Sequence, residues 1–358
     1  MIKVLKTTVI LVLLISVVVI VRKFTHRELK EYILNKELQT IKPGWKGNLR
    51  IDGEFVNFDD KDEQIMPTDI FKWKVLSKNP QEKEKKADAF KLELIKGDEW
   101  INSTDNMIVW LGHASFFIRL GGTTLITDPV FYDMSFIKRH IGMPCETDKI
   151  KDVDYLLLSH GHRDHFDKKT VSKLVKVNPN IEALVPLVNT SYFQKKGVKF
   201  QEAGWFQKYE TKNDIEIYFM PARHWNRRGI LDFNKTLWGS FIIKYGDMVI
   251  YFAGDTSFGE HFEEIAGIFP DIDYCLLPVG AYKPENIMKD AHLSPWEAYD
   301  AFKVMKAGKF IPMHFGTYDL SDEPLGEPQR VVEGFEDDRI KILKVGEVLE
   351  LNNNRMNE

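Results

Sequence analysis

Apolar residues recur along most of the chain in short runs separated by turn-forming segments. Residues 107–111, 115–120 and 123–127 are three such runs joined by glycine-containing turns, which predicts three consecutive strands. Further strands are predicted at 153–158, 182–185, 215–220, 237–244, 248–253, 274–277, 310–313, 340–343 and 348–351. Helices are predicted at 168–177, 259–267 and 295–307. The pattern therefore predicts an α/β fold in which sheets are flanked by helices.

The N-terminal segment has a different pattern. Residues 7–21 are uncharged and strongly apolar, and residues 2–21 are together long enough to cross a hydrocarbon core as a helix. No small-residue cleavage site follows Val21, so we expect residues 1–23 to be a retained transmembrane anchor rather than a cleaved signal peptide. Basic residues flank both ends of this segment, and their balance slightly favours a membrane-anchored chain with a cytoplasmic catalytic domain.

Residues 24–105 are expected to connect the anchor to the catalytic domain. Residues 28–38 predict an amphipathic helix, and the run of mixed charge at 81–88 predicts a solvated helix face. The catalytic domain is expected over 106–352, followed by a polar tail at 353–358.

Composition and charge narrow the class of protein. The chain has 358 residues, of which 44% are hydrophobic, and this is enough for one large domain with an N-terminal extension. The net charge of −4 argues against a nonspecific nucleic-acid-binding protein, because such proteins neutralise phosphates with excess basic residues. The two cysteines, Cys145 and Cys275, lie far apart and indicate neither a disulfide framework nor a metal site.

The run H-x-H-x-D-H, from His160 to His165, is the strongest chemical signal in the sequence. Imidazole and carboxylate groups are ligands that Zn²⁺ prefers, and Mn²⁺ and Fe²⁺ also fit such a set. The run follows a predicted buried strand, and side chains two residues apart on an extended segment share a face. His160 and His162 are therefore expected to hold one ion, while Asp164 and His165 reach a second ion nearby.

Three further candidates follow other predicted strands, as two complete metal sites would require. They are His224 after 215–220, Asp255 after 248–253, and His314 after 310–313. Each has an ordinary structural alternative, since a single histidine at a strand end is often a packing residue and an aspartate before Thr-Ser often caps a helix. Their common placement at strand ends favours the metal interpretation.

The order H-x-H-x-D-H, His, Gly-Asp, His resembles that of the metallo-β-lactamase superfamily. The resemblance implies an αβ/βα sandwich with a two-metal site along one edge of its sheets. It places on the first ion His160, His162 and His224. It places on the second ion Asp164, His165 and His314, with Asp255 between the two ions.

Finer motifs resemble one branch of that superfamily, which contains N-acyl-phosphatidylethanolamine-hydrolysing phospholipase D. They are Trp-Leu-Gly-His-Ala-Ser at 110–115, Thr-Asp-Pro at 127–129, Pro-Ala-Arg-His-Trp at 221–225, Pro-Val-Gly-Ala-Tyr at 278–282 and His-Phe-Gly-Thr at 314–317. The resemblance extends over residues 107–328 and implies a phospholipid substrate. The first hundred residues do not share it.

Several other residues in these motifs are candidates for the site. Asp164, Asp255 and His292 are the candidate catalytic residues. Asp128 could orient a metal ligand or cap a turn, and His113 could approach the metals or pack in a loop. Arg223 could hold a phosphate or be exposed, and Tyr282 could contact an apolar substrate or pack in the core.

The expected function is a binuclear zinc hydrolase of the phospholipase D type. No Ser-centred nucleophile elbow or phosphate-binding P-loop is present, so neither a covalent serine mechanism nor nucleotide-driven chemistry is expected. A lactonase or other acyl hydrolase on the same metals is the closer alternative, and a non-catalytic, metal-stabilised envelope protein is an alternative of another class. The expected partners are a phospholipid and the membrane, and a homo-oligomer is compatible with the sequence.

Overall fold

A computed structural model describes residues 29–58, 67–229 and 231–351. The strands in these residues are β1 (Lys30–Ile33), β2 (Gln39–Thr40), β3 (Asn48–Ile51), β4 (Glu54–Phe55), β5 (Met107–Gly112), β6 (Ser115–Leu120), β7 (Thr123–Thr127), β8 (Tyr155–Leu157), β9 (Glu182–Pro186), β10 (Lys199–Ala203), β11 (Gln207–Lys208), β12 (Ile215–Met220), β13 (Ser240–Tyr245), β14 (Met248–Phe252), β15 (Tyr274–Pro278), β16 (Lys309–Met313) and β17 (Val348–Glu350). The helices are α1 (Pro67–Leu76), α2 (Glu82–Ala87), α3 (Lys168–Val177), α4 (Ser191–Lys196), α5 (His261–Ile268), α6 (Glu285–Met288), α7 (Pro295–Val304) and α8 (Glu327–Glu333). Short 3₁₀ turns lie at Glu99–Asn102 and Thr147–Lys149.

The strands form two seven-stranded sheets and one small sheet. The first sheet has the order β10-β9-β8-β7-β6-β5-β17, and the second has the order β16-β15-β14-β13-β12-β11-β2. The small sheet is β1-β3-β4. In the first sheet β7, β8, β9 and β10 run parallel, and in the second β14, β15 and β16 do so. The carboxyl ends of these parallel strands supply the loops that carry most of the candidate site.

The two large sheets pack face to face, and the alternation of side chains along each strand explains why. On β5, Ile108 and Trp110 belong to the core between the sheets, whereas Val109 and Leu111 belong to a second apolar cluster on the outer face. The strand is buried at every position because both of its faces are covered. Each large side chain buried in this way stabilises the fold by about 1.5–3 kcal/mol.

Helices cover the outer face of each sheet. Helix α3 packs Val171 and Leu174 into the outer cluster of the first sheet and begins at Asp167, whose carboxylate accepts hydrogen bonds from two backbone amides of the first turn. Helix α7 begins with a capping box between Ser294 and Glu297 and packs its apolar face into the main core, next to the second sheet. The layers are helix, sheet, sheet and helix, so the expected αβ/βα sandwich is confirmed.

Two local predictions are wrong. Residues 28–38 do not contain the predicted helix in their described part, because residues 30–33 pair with β3 and Asn35 makes hydrogen bonds to the distant residues Glu202 and Gln207. The predicted strand at 340–343 is reduced to a single bridge between Ile340 and Phe310. In both segments the chain follows distant partners rather than its local apolar pattern.

The predicted transmembrane anchor at residues 1–23 lies outside the described residues. Within the described part of the chain, no helix is long and apolar enough to cross a membrane. The longest helices there have 10 residues, whereas a spanning helix needs about 20. The membrane-spanning part of the predicted fold class and the predicted membrane-anchored localisation find no support in the described residues, so we withdraw both and retain the sandwich alone.

Candidate metal centre

The candidate residues converge on one edge of the sandwich, where loops from both sheets meet. The first sheet contributes His113 from the β5–β6 turn, Asp128 after β7, and the run 160–165 after β8. The second sheet contributes His224 after β12, Asp255 after β14, His292 in the loop between β15 and α7, and His314 after β16. Sequence segments up to 200 residues apart therefore form one cluster.

One group in the cluster consists of His160, His162, His224 and Asp255, with one potential ligand atom of each within 4.8 Å of the others. Nδ1 of His162 lies 2.9 Å from Nε2 of His160 and 3.2 Å from Nε2 of His224. Nitrogen ligands about 2.05 Å from a tetrahedral ion would lie about 3.3 Å from one another. The spacing of these three nitrogens therefore fits a shared cation.

The second group consists of His113, Asp164, His165 and His314, again within 4.8 Å of one another. Nε2 of His314 lies 3.2 Å from Nε2 of His165. Oδ2 of Asp164 lies 3.5 Å from the first of these nitrogens and 3.6 Å from the second. Nε2 of His113 is 3.2 Å from the same oxygen of Asp164.

The carboxylate of Asp255 lies between the two groups. Its Oδ1 is 3.1 Å from Nε2 of His314, and its Oδ2 is 3.0 Å from Nε2 of His165. Oδ2 is also 3.8 Å from Nε2 of His224 and 3.9 Å from Nε2 of His160. Asp255 belongs to the first group, and each of its two oxygens faces a ligand atom of the second group.

The polar atoms in this cluster are buried without enough partners. Among the described residues, neither carboxylate oxygen of Asp255 has a hydrogen-bond partner, although both are buried. Such atoms are costly to bury unless something satisfies them, and a cation at each group would do so. The residues present therefore fit metal ions.

The electrostatics of the first group agree with this conclusion. Burial, together with the neighbouring histidines, lowers the pKa of His160 well below its usual value, and burial lowers the pKa of His162 to about 4. Burial also holds the pKa of His224 well below the usual range. These rings are therefore neutral near pH 7, which is the form that binds a metal.

Two histidines of the second group have raised pKa values instead. Burial opposes the shift, but the carboxylates of Asp255 and Asp164 raise the pKa of His165 well above its usual value. Against the same effect of burial, Asp255 and Asp164 raise the pKa of His314 to about 9. Two close carboxylates thus favour positive charge here, and a metal ion would supply that charge in place of the protons.

Asp128 connects the two groups from behind. It is fully buried, and its carboxylate accepts hydrogen bonds from the backbone amide and the hydroxyl of Ser159, at 2.7 and 2.5 Å. Its Oδ2 is also 2.7 Å from Nδ1 of His165, and the Ser159 hydroxyl is 2.9 Å from Nδ1 of His160. Asp128 thereby fixes the rings of one histidine in each group.

A backbone contact fixes one further ring. Nδ1 of His224 lies 2.8 Å from the carbonyl oxygen of Ala291, which directs Nε2 towards His162. Such a contact selects the tautomer and orientation of a metal-binding histidine. The main chain at the other two histidines is held in place, because the amide of His314 donates to the carbonyl oxygen of His113 and the amide of His113 donates to the hydroxyl oxygen of Thr317.

The structure brings His292 to the cluster but places Arg223 and Tyr282 elsewhere. Nδ1 of His292 is buried, lacks a hydrogen bond and lies 3.9 Å from Oδ2 of Asp255. Arg223 donates to the carbonyl oxygen of Phe258 and lies 3.5 Å from Asp290. The hydroxyl of Tyr282 contacts Glu327, and its ring is buried.

Sequence reasoning missed three residues that support the centre. Ser159 connects Asp128 to His160, and Asn226 and Arg228 contact the loop that contains His162. These three residues stand next to predicted ligands in the sequence, which indicated that they lie near the centre. They carry no metal-binding side chains, however, and no sequence pattern indicated which atoms they contact.

Comparison with known proteins agrees with the geometry. A family model described as "Beta-lactamase superfamily domain" matches residues 123–315. A Caenorhabditis elegans protein named "N-acyl-phosphatidylethanolamine-hydrolyzing phospholipase D 1" is 30% identical over 264 residues, covering 68% of this chain and 74% of that protein. A Saccharomyces cerevisiae protein named "N-acyl-phosphatidylethanolamine-hydrolyzing phospholipase D, mitochondrial" is 32% identical over 246 residues, covering 64% of this chain and 52% of that protein, so this chain spans about half its length.

A solved structure shares the fold. The metallo hydrolase from Ignicoccus hospitalis superposes with a TM-score of 0.54 at 18% identity, covering 70% of this chain and 99% of that one. This likeness shows the fold, whereas the family is shown by the matched family model and the relatives.

Proposed function

The chain belongs to the metallo-β-lactamase superfamily of metal-dependent hydrolases, and we propose that it uses two zinc ions to hydrolyse a phosphodiester bond of a phospholipid. The observation that carries the proposal is the position of Asp255 between two groups of ligand atoms. A single structural zinc site needs only four protein ligands and has no open position. This cluster offers seven candidate ligands, one of which is the carboxylate shared by the two groups. That arrangement suits a pair of ions with a common ligand.

The proposed ligand sets follow the two groups. His160, His162 and His224 would hold one zinc ion, Asp164, His165 and His314 would hold the other, and Asp255 would contact both. Zinc bound there would lower the pKa of water towards neutrality and stabilise negative charge on a phosphoryl oxygen. The remaining steps of recognition and proton transfer fall to the protein.

His292 is the residue that we propose to face the substrate. Burial lowers its pKa to about 4, so the ring is neutral near pH 7. Its Nδ1 is buried beside Asp255 and has no hydrogen-bond partner among the described residues, so we propose that a phosphoryl or leaving-group oxygen that enters the centre supplies one. His113 has a different role, because its Nε2 lies against Asp164 and helps to hold that carboxylate in place.

A lipid substrate is supported by the names of the relatives and by apolar surfaces near the centre. The half-buried Trp225 packs against His162 with ring centroids 4.4 Å apart. An apolar acyl chain would find complementary surface beside this ring. By analogy with the relatives, we propose N-acyl-phosphatidylethanolamine or a related phospholipid as the substrate, with phosphatidic acid as a product.

The test is a product analysis with matched variants. Purified protein supplied with zinc should bind close to two ions and convert N-acyl-phosphatidylethanolamine in detergent to phosphatidic acid, detected by mass spectrometry, and chelators should abolish the reaction. His292→Ala should keep the bound zinc and lose at least about 100-fold in turnover, which is the lower end of the range for a residue that transfers a proton. Free fatty acid or diacylglycerol as product would contradict the bond assignment. Hydrolysis of lactones without turnover of phospholipid would establish the acyl-hydrolase alternative instead.

A further inference from the structure

The loop that follows His224 holds the H-x-H-x-D-H loop through three hydrogen bonds. The side-chain oxygen of Asn226 accepts from the amide of Gly161 at 3.0 Å. Nη1 of Arg228 donates to the carbonyl oxygens of Gly161 and Phe166 at 3.0 and 2.8 Å. The Arg228 guanidinium also lies over the Phe166 ring, 4.7 Å from its centroid. We call Asn226 and Arg228 the clamp.

The clamp has its own anchoring, independent of the loop that it holds. The amide of Asn226 donates to the side chain of Asn234, and the amide of Asn234 donates to the carbonyl oxygen of Asn226. Both asparagines are buried. The amides of Arg228 and Gly229 donate to the carboxylate of Asp232. Residues 226–229 are therefore bonded to Asp232 and Asn234 and can act as a fixed support.

The clamp connects ligands that belong to different sheets. His160 and His162 follow β8 in the first sheet, whereas His224 follows β12 in the second. Gly161 lies between the first two histidines, and Asn226 is two residues after the third. A hydrogen-bonded contact at this point restricts the distance between the rings that would share an ion.

We propose that Asn226 and Arg228 are positioning residues that hold His224 at the correct distance from His160 and His162, and so set the zinc affinity of the first group. The proposal rests on the proposed zinc-binding function. Arg228 suits this role because one planar guanidinium can serve two carbonyl oxygens and an aromatic face together. Residues that orient metal ligands typically change metal affinity by about 10- to 100-fold when they are removed.

The matched control is Arg227, the adjacent arginine in the same loop. Its Nε donates to the carbonyl oxygen of Gly229, within the same loop. Arg228→Ala and Arg227→Ala remove the same side chain and the same charge from neighbouring positions. Arg228→Ala removes the two hydrogen bonds to the metal-binding loop, at Gly161 and Phe166.

The experiment measures zinc affinity on metal-stripped protein by competition with a chromophoric chelator, and records the visible spectrum after loading with Co²⁺. Arg228→Ala should bind one of the two ions, that of the first group, about 10- to 100-fold less tightly and should change the Co²⁺ spectrum, while Arg227→Ala stays within about twofold of wild type. Arg228→Lys, which keeps the charge and one donor group, should recover part of the affinity. Circular dichroism of the metal-free proteins checks the fold.

The outcomes separate this proposal from the proposed function. Failure of the wild type to bind zinc would overturn the function itself. Wild-type affinity and spectrum in Arg228→Ala would overturn the clamp while leaving the function intact. If Arg228→Ala does not fold, Arg228→Lys decides: reduced affinity with a folded metal-free protein supports the clamp, and unchanged affinity overturns it.

Discussion

Substitution of Asp128 by asparagine tests how the protein orients its candidate ligands. Oδ1 of Asp128 accepts from the amide of Ser159, and Oδ2 faces both the Ser159 hydroxyl and Nδ1 of His165. An asparagine has one oxygen and one NH₂ group in place of these two acceptors. If NH₂ replaces Oδ1 it opposes the Ser159 amide, and if it replaces Oδ2 it opposes the Nδ1–H of His165. Neither orientation satisfies the donors.

The size of the effect follows from what these contacts do. Loss of the acceptor at Nδ1 favours the His165 tautomer with a proton on Nε2, the nitrogen that faces Asp255 and His314. Because Ser159 also contacts His160, the change reaches both groups of ligands. We expect Asp128→Asn to lose about 10- to 100-fold in zinc affinity and turnover, or about 1.4–2.8 kcal/mol.

The comparison with Asp255→Asn makes the reasoning refutable. Asp255 directs both oxygens at ligand nitrogens, so its substitution should cost at least about tenfold more than that of Asp128. Asp247→Asn, in the exposed turn between β13 and β14, is the control and should match wild type. The assays are chelator competition and phospholipid turnover. Equal losses at Asp128 and Asp255, or wild-type affinity in Asp128→Asn, would show that the roles are wrongly assigned.

The sequence predicted the positions of the ligand-bearing loops because those positions depend on local features. A run such as 248–253 is apolar enough to indicate a buried strand, and a charged residue directly after it must lie at the end of that strand. This reasoning placed His224, Asp255 and His314 at strand ends. That these ends meet along one edge was implied by the resemblance to the metallo-β-lactamase superfamily, and the roles of the three residues as ligands remain proposals.

Features that depend on distant contacts could not be predicted in this way. The segment at 28–38 has helical periodicity, yet pairing with β3 and the contacts of Asn35 with residues more than 160 positions away determine its conformation. Arg228 is a residue type that often binds phosphate at a protein surface, but its guanidinium donates to two backbone carbonyl oxygens instead. Tyr282 lies in a motif near the centre, while its hydroxyl contacts Glu327. In each of these examples, a contact with a residue far along the chain determines the conformation of the segment or the role of the side chain.

Two further predictions test packing and protonation behind the centre. An added Cβ at Gly280 would lie 2.2 Å from the carbonyl oxygen of His314, so Gly280→Ala should reduce both the bound zinc and the melting temperature. The control is Gly267→Ala in α5, where an added Cβ meets open space, and this variant should keep its zinc and melt no lower than wild type. Equal zinc contents in the two variants would contradict this prediction. Burial and the charge of Arg223 lower the pKa of His261 to about 3. The unfolded chain, with a pKa near 6.5, therefore takes up a proton that the folded protein does not, so this histidine's contribution to stability is complete above pH 6.5 and declines as the pH falls towards 3. At pH 4.5 the loss is about 3 kcal/mol. Urea unfolding of metal-free protein should show that His261→Gln loses less stability than wild type between pH 7 and 4.5, and parallel curves would mean that His261 is protonated in the folded state.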